Sequence, residues 1–159
     1  MEASLLTRNV GKLVLYEPPV AFSYAEGSIE RQERLAAAGR ADKLLEEVFL
    51  AEGVLSPEDL AALRASPTWL ERVALAWTMP RESCADSRYS ISPERFANMT
   101  APTLLLLGTE SGDAFRAGVE KVRAALPDAR VSKLEGQGHA ATMTAPKMLA
   151  DEVTRFLAP

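Results

Sequence analysis

The chain has 159 residues, 47% hydrophobic and 25% charged, with a formal net charge of −4. That size suits one globular domain with a single substantial core, and an acidic balance without a basic stripe argues against a nucleic-acid partner. The longest clearly apolar run, Thr103-Leu-Leu-Leu-Leu107, is far too short to span a bilayer, so no membrane partner is expected. The opening Met1-Glu-Ala-Ser-Leu-Leu-Thr-Arg8 lacks the basic and apolar regions of a signal peptide. Cys84 is the only cysteine and cannot form an intramolecular disulfide. A cytoplasmic, reduced protein is the expectation.

Residues Glu2 to Asn9 read as the end of a short helix closed by Asn9-Val-Gly11. Leu13-Val-Leu-Tyr-Glu17, stopped by Pro18-Pro19, predicts a strand covered on both faces, as in a parallel sheet. From Ser28 to about Tyr89 the pattern is helical, with helices over Ser28–Ala38 and Ala41–Glu52 on either side of Gly39. Ser56-Pro57-Glu-Asp59 combines a capping serine, a proline at the first helical position and an acid three residues on. Ser66-Pro67 repeats the device, and Trp69, Val73 and Trp77 then share one face, read as packing.

A second strand is predicted over Thr103–Leu107, between Pro102 and Gly108. A helix from about Asp113 to Leu126 presents Phe115, Val119, Val122 and Leu126 as one stripe and stops at Pro127-Asp128. The third strand spans Ala129–Leu134. The last helix starts at Pro146 and is expected to bury Leu149, Val153, Phe156 and Leu157. Strands alternating with helices imply parallel pairing through right-handed crossovers. The fold class is therefore α/β, with three parallel strands, flanking helices and a helical insertion. Three strands are few, since the usual sheet has about five to six.

Taken together, three segments resemble the C-terminal half of the α/β-hydrolase superfamily. Leu13-Val-Leu-Tyr-Glu-Pro-Pro19 resembles the sixth strand, Ala101-Pro-Thr-Leu-Leu-Leu-Leu-Gly108 the seventh, and Arg130 through His139 the eighth strand with its histidine loop. The resemblance implies one half-size domain over 1–159, with residues 26–90 as a helical lid. No Gly-x-Ser-x-Gly nucleophile turn occurs in the chain. In the family that turn, the oxyanion-hole loop and five strands precede the matching point. Glu2-Ala-Ser-Leu-Leu-Thr7 resembles the tail of the helix after the turn, placing the nucleophile on the order of ten residues before Met1. The expected fold is thus a truncated α/β-hydrolase fold.

His139, the only histidine, follows Val131-Ser-Lys-Leu-Glu-Gly-Gln-Gly138 at the carboxyl end of a strand, where open α/β sheets put their chemistry. The resemblance implies that it takes and returns the nucleophile's proton. An ordinary loop histidine bonded to backbone is the plain alternative. The family's usual acid position, three residues after the glycine ending the seventh strand, holds Ser111. Nearby Glu110 and Asp113 are substitutes, although Asp113 equally suits the N-cap of the next helix. Some members draw the acid from the end of the sixth strand, where Glu17 stands, held extended by Pro18. Glu17 is preferred to Asp113.

Gly108-Thr-Glu-Ser111-Gly112 lies between a strand and a helix, so a Ser111–His139–Glu17 set is conceivable, with helix N–H groups for an oxyanion. A helix-start serine is the favoured account of Ser111. Cys84 is a weaker nucleophile candidate, with no histidine near it in sequence. One histidine, one cysteine and scattered carboxylates give no zinc spacing, and no phosphate-binding glycine motif follows a strand, so no metal or cofactor is implied.

The overall expectation is a protein related to serine-type ester hydrolases, with His139 as the retained base, the usual nucleophile missing and a small apolar ester-like substrate. The alternative is a non-catalytic dimerising module derived from a hydrolase. Without further strands, the edge of Leu13–Glu17 and the apolar surface beside it invite pairing, which predicts a two-fold homodimer through that edge or the lid.

Overall fold

A computed structural model describes residues 1–7, 9–20, 22–51 and 53–159. The chain opens with a 3-10 turn (Glu2–Leu5) and strand β1 (Leu13–Tyr16). Helices α1 (Ser28–Ala37), α2 (Ala41–Ala51), α3 (Pro57–Arg64) and α4 (Trp69–Leu75) follow, then a 3-10 turn (Ala76–Thr78) and helices α5 (Met79–Arg88) and α6 (Pro93–Phe96). Strand β2 (Thr103–Gly108), helix α7 (Asp113–Ala125), strand β3 (Ala129–Leu134) and helices α8 (Ala141–Thr144) and α9 (Pro146–Leu157) complete it. These elements form two compact units, one of Met1–Ala21 with Ser90–Pro159 and one of Phe22–Tyr89.

In the first unit β1 and β3 both pair in parallel with β2, in the order β1-β2-β3. Leu13 lies opposite Thr103, and Thr103 opposite Ala129. The central strand is buried at every position. Its alternation divides the core. Leu105 and Leu107 pack with Phe96, Val119, Val122 and Leu126 on one face, whereas Leu104 and Leu106 pack with Leu134 and Ala141 on the other. The predicted stripe of α7 is accordingly buried.

Leu149, Val153 and Phe156 of α9 pack partly buried against the second face. Leu157 was expected to join them but, at the last residue of the helix, is 51% exposed. Lys12 Nζ donates to the carbonyls of Phe156, Leu157 and Ala158, putting a cation at the negative end of α9. The run Leu13–Glu17 predicted a strand covered on both faces. Instead β1 is half-buried throughout and ends at Tyr16, since it flanks the sheet and Glu17 turns out of it.

The second unit is helical, and Gly39, which by sequence could either break or bend the helix, separates α1 from α2. Ser56 Oγ accepts the Asp59 N–H at 3.0 Å, capping α3. Ser66 does not repeat that role. Its hydroxyl donates to the Leu63 carbonyl at 2.7 Å, and α4 begins only at Trp69. The Trp69, Val73, Trp77 stripe is not a buried face either. The helix tightens into a 3-10 turn at Ala76, shifting the register, and Trp77 is 63% exposed. Arg8, within the predicted opening helix, and Glu52, the predicted end of the second long helix, lie outside the described residues. Among the described residues no helix is long and apolar enough to cross a membrane.

Gly118 sits in α7 where a Cβ would stand 2.5 Å from the Pro18 carbonyl oxygen. Gly118→Ala gains about 1 kcal/mol of helix propensity but forces α7 away from the segment after β1, an overpacking cost of about 1–3 kcal/mol. The expected result is a lower thermal midpoint, measured by circular dichroism.

Candidate active site

The end of β1 supplies two neighbouring side chains to one place. Successive residues of a strand point to opposite faces. Glu17 escapes that alternation because it has a φ of +40°, the only positive φ of a non-glycine residue among those described. Such a conformation costs on the order of 1–3 kcal/mol by itself. It turns the chain out of the strand, so that Tyr16 and Glu17 both reach the loop carrying His139.

Glu17 is fully buried. A buried carboxylate is tolerable only when hydrogen-bonded or paired, and three donors meet it. Oε1 accepts the Gly108 N–H at 2.7 Å and the Ser111 hydroxyl. Oε2 lies 2.7 Å from His139 Nδ1. With the carboxylate accepting, Nδ1 is the donor of this contact, and the tautomer that donates there has its lone pair on Nε2. Among the described residues no hydroxyl or thiol is hydrogen-bonded to the His139 ring. The side chain of His139 remains 29% exposed.

Neighbouring rings and loops hold the imidazole. The Phe115 ring stacks on it at a centroid distance of 4.0 Å and an interplanar angle of 14°, and Tyr16 stacks at 5.5 Å and 20°. The Tyr16 hydroxyl donates to the Gly138 carbonyl and accepts the Ala141 N–H, tying the backbone on both sides of His139. The loop after β2 ties the same segment from another side. Gly136 N–H donates to Thr109 Oγ1 at 2.8 Å, and Glu110 N–H to the Gln137 carbonyl at 2.9 Å. This approach is so close that a Cβ on Gly108 would stand 2.2 Å from the Gln137 oxygen and 2.7 Å from Ser111 Oγ. Only glycine fits there.

Of the sequence candidates, His139, Glu17 and Ser111 come together, with the carboxylate between the hydroxyl and the ring. Asp113 is exposed in the first turn of α7, where it complements the helix dipole, and the capping position before it belongs to Gly112. Glu110 is exposed and contributes its backbone N–H. Cys84 lies in the other unit. Tyr16, Phe115 and Gly108 are site residues that sequence reasoning left in the strand, the stripe and the turn. The signal available was the position of Tyr16 immediately before Glu17. Among the described residues no group of three His, Cys, Asp or Glu side chains is arranged to hold a metal ion.

Burial and the neighbouring Glu17 charge push the Tyr16 hydroxyl up to about 12, against a smaller lowering by the Ala141 N–H. A phenol at its ordinary value of 10 in the unfolded chain loses its proton first. The contribution of Tyr16 to stability is therefore whole below pH 10 and lost as pH rises toward 12. Denaturant titrations of the wild type are expected to show that alkaline decline, and Tyr16→Phe to flatten it while lowering stability at neutral pH.

No family model matches the chain, and no curated protein is significantly similar to it by sequence. Solved structures are similar. An α/β hydrolase from Sphaerobacter thermophilus DSM 20745 superposes with a TM-score of 0.78 at 27% identity, covering 99% of this chain and 62% of its own. Naproxen esterase (carboxylesterase NP) from Bacillus subtilis gives 0.55 at 19% identity, covering 93% and 51%. A bromoperoxidase from Bacillus anthracis gives 0.58 at 18%, covering 92% and 57%. The chain thus spans between half and two thirds of the length of each of these structures.

Proposed function

We propose, for a chain whose fold is that of the C-terminal part of an α/β hydrolase, that it carries the base and acid of a serine-type ester hydrolase. His139 is the base and Glu17 the acid that orients it. The observation that carries this reading is the 2.7 Å contact of Glu17 Oε2 with His139 Nδ1, which leaves Nε2 as the free acceptor. An imidazole so held takes a proton from an attacking hydroxyl at Nε2 and returns it to the departing alcohol, while Glu17 stabilises the imidazolium formed between the two steps. In this reading the attacking hydroxyl is a serine outside the described contacts of His139, or a water molecule for an activated ester. The helical unit Phe22–Tyr89, inserted in sequence between β1 and β2, is the lid. Carboxylic esters with small apolar groups are the substrate class, in keeping with the esterase among the similar structures.

Hydrolysis of short-chain aryl esters tests it. The expected result is turnover above buffer that falls about a hundredfold or to background in His139→Ala, and substantially in Glu17→Gln, with the fold retained. Turnover indifferent to His139→Ala, or none above buffer, overturns the assignment.

A second reading, a self-associating module, is favoured by the outer side of β1. The Leu13 and Glu17 N–H groups donate to the Pro102 and Leu106 carbonyls, so the backbone groups of Val14 and Tyr16 face away from β2. Among the described residues no strand pairs with that side. A second copy joining there would form a two-fold dimer with a continuous sheet. Light scattering is expected to give twice the monomer mass, and a monomer at micromolar concentration excludes this reading.

A further inference from the structure

We infer that Ser111 is a positioning residue for the Glu17–His139 pair: its hydroxyl and the Gly108 N–H together anchor Glu17 Oε1, so that Oε2 stays on the imidazole. This inference rests on the proposed base and acid and adds the group that aims the acid. The two donors come from one turn. Ser111 N–H donates to the Gly108 carbonyl at 3.2 Å, closing residues 108–111 into a turn that presents the Gly108 N–H and the Ser111 hydroxyl to the same oxygen.

Each part of that turn has a stated reason. Gly108 admits no side chain, because a Cβ would meet Ser111 Oγ and the Gln137 oxygen. Ser111 is 4% exposed, a depth at which a hydroxyl needs a partner. The partner it has is the carboxylate, so its proton is directed at Glu17 and away from the imidazole. A glutamate side chain has several rotatable bonds, and a single backbone donor leaves its carboxylate free to swing about that contact. A second donor on the same oxygen fixes its plane, and charge-assisted hydrogen bonds of this kind are about twice as strong as neutral ones. Ser111 therefore acts through Glu17 and is not the nucleophile.

Because His139 is the only histidine, proton NMR of the intact chain reads one Nδ1–H resonance, whether or not any ester is turned over. Two variants separate hydrogen bonding from packing. Ser111→Ala removes the donor and leaves a small void. Ser111→Cys fills the same space with a weak donor. Both are expected to speed exchange of the Nδ1 proton with solvent about tenfold and to move its resonance upfield, with thermal melting confirming that each is folded. A Cys variant that matches the wild type, or two variants that leave shift and exchange unchanged, would reduce Ser111 to packing and overturn the inference. If Ser111→Ala does not fold, the isosteric Cys variant decides by itself. Failure of the proposed function appears elsewhere, as turnover indifferent to His139→Ala with these NMR differences intact.

Discussion

A carboxylate with no exposure to solvent organises the first unit. Moving a charged group out of water is costly unless hydrogen bonds and a counter-partner replace its hydration. For Glu17 those replacements come from three places: the end of β2, the turn leading into α7, and the loop after β3. None of the three is near Glu17 in sequence, the closest being 91 residues away. The carboxylate is thus satisfied only when the three strands are paired in register and both loops are seated. A strained backbone at Glu17 aims it, and the surrounding hydrogen bonds and packing hold that conformation in place.

The parallel sheet makes this convergence possible. In parallel pairing all strands end on the same side, so β1, β2 and β3 release their following loops at one edge. The central strand, leucine on both faces, sets the spacing between its neighbours. Two glycines let backbone approach backbone where side chains would interfere: Gly108 beneath the histidine loop and Gly118 against Pro18. The aromatic rings of Tyr16 and Phe115 then occupy the space beside the imidazole, so the side chain that remains part-exposed is nevertheless confined.

Local signals were legible where they belonged to a single element. The stripe of Phe115, Val119, Val122 and Leu126 announces a helix buried on one side, and Ser56-Pro57 announces a helix start; both appear where expected. Signals that depended on what a neighbour was doing were misleading. Ser66 looks like a second cap but is engaged by the carbonyl of the preceding helix. Trp77 lies on the arithmetic face of Trp69 and Val73, yet the turn at Ala76 changes the residues per turn before it is reached. Leu13–Glu17 reads as a strand covered on both faces, whereas it is half-buried beside the central strand.

The residues by themselves determined the α/β alternation, the boundaries of the third strand, those of the second to within one residue at Gly108, and the presence of His139 at a strand's carboxyl end. These follow from periodicity and turn chemistry, which act over a few residues. Which acid meets the histidine was not determined that way. The resemblance favours Glu17 over Asp113, but Glu110 and Asp113 stand close enough along the chain to compete. Only the tertiary structure chose Glu17, through a left-handed backbone turn and a buried pocket whose donors come from across the sheet. It likewise brought the Ser111 hydroxyl to that carboxylate, because hydrogen-bond partners follow from where chains meet in space and not from their order along the chain.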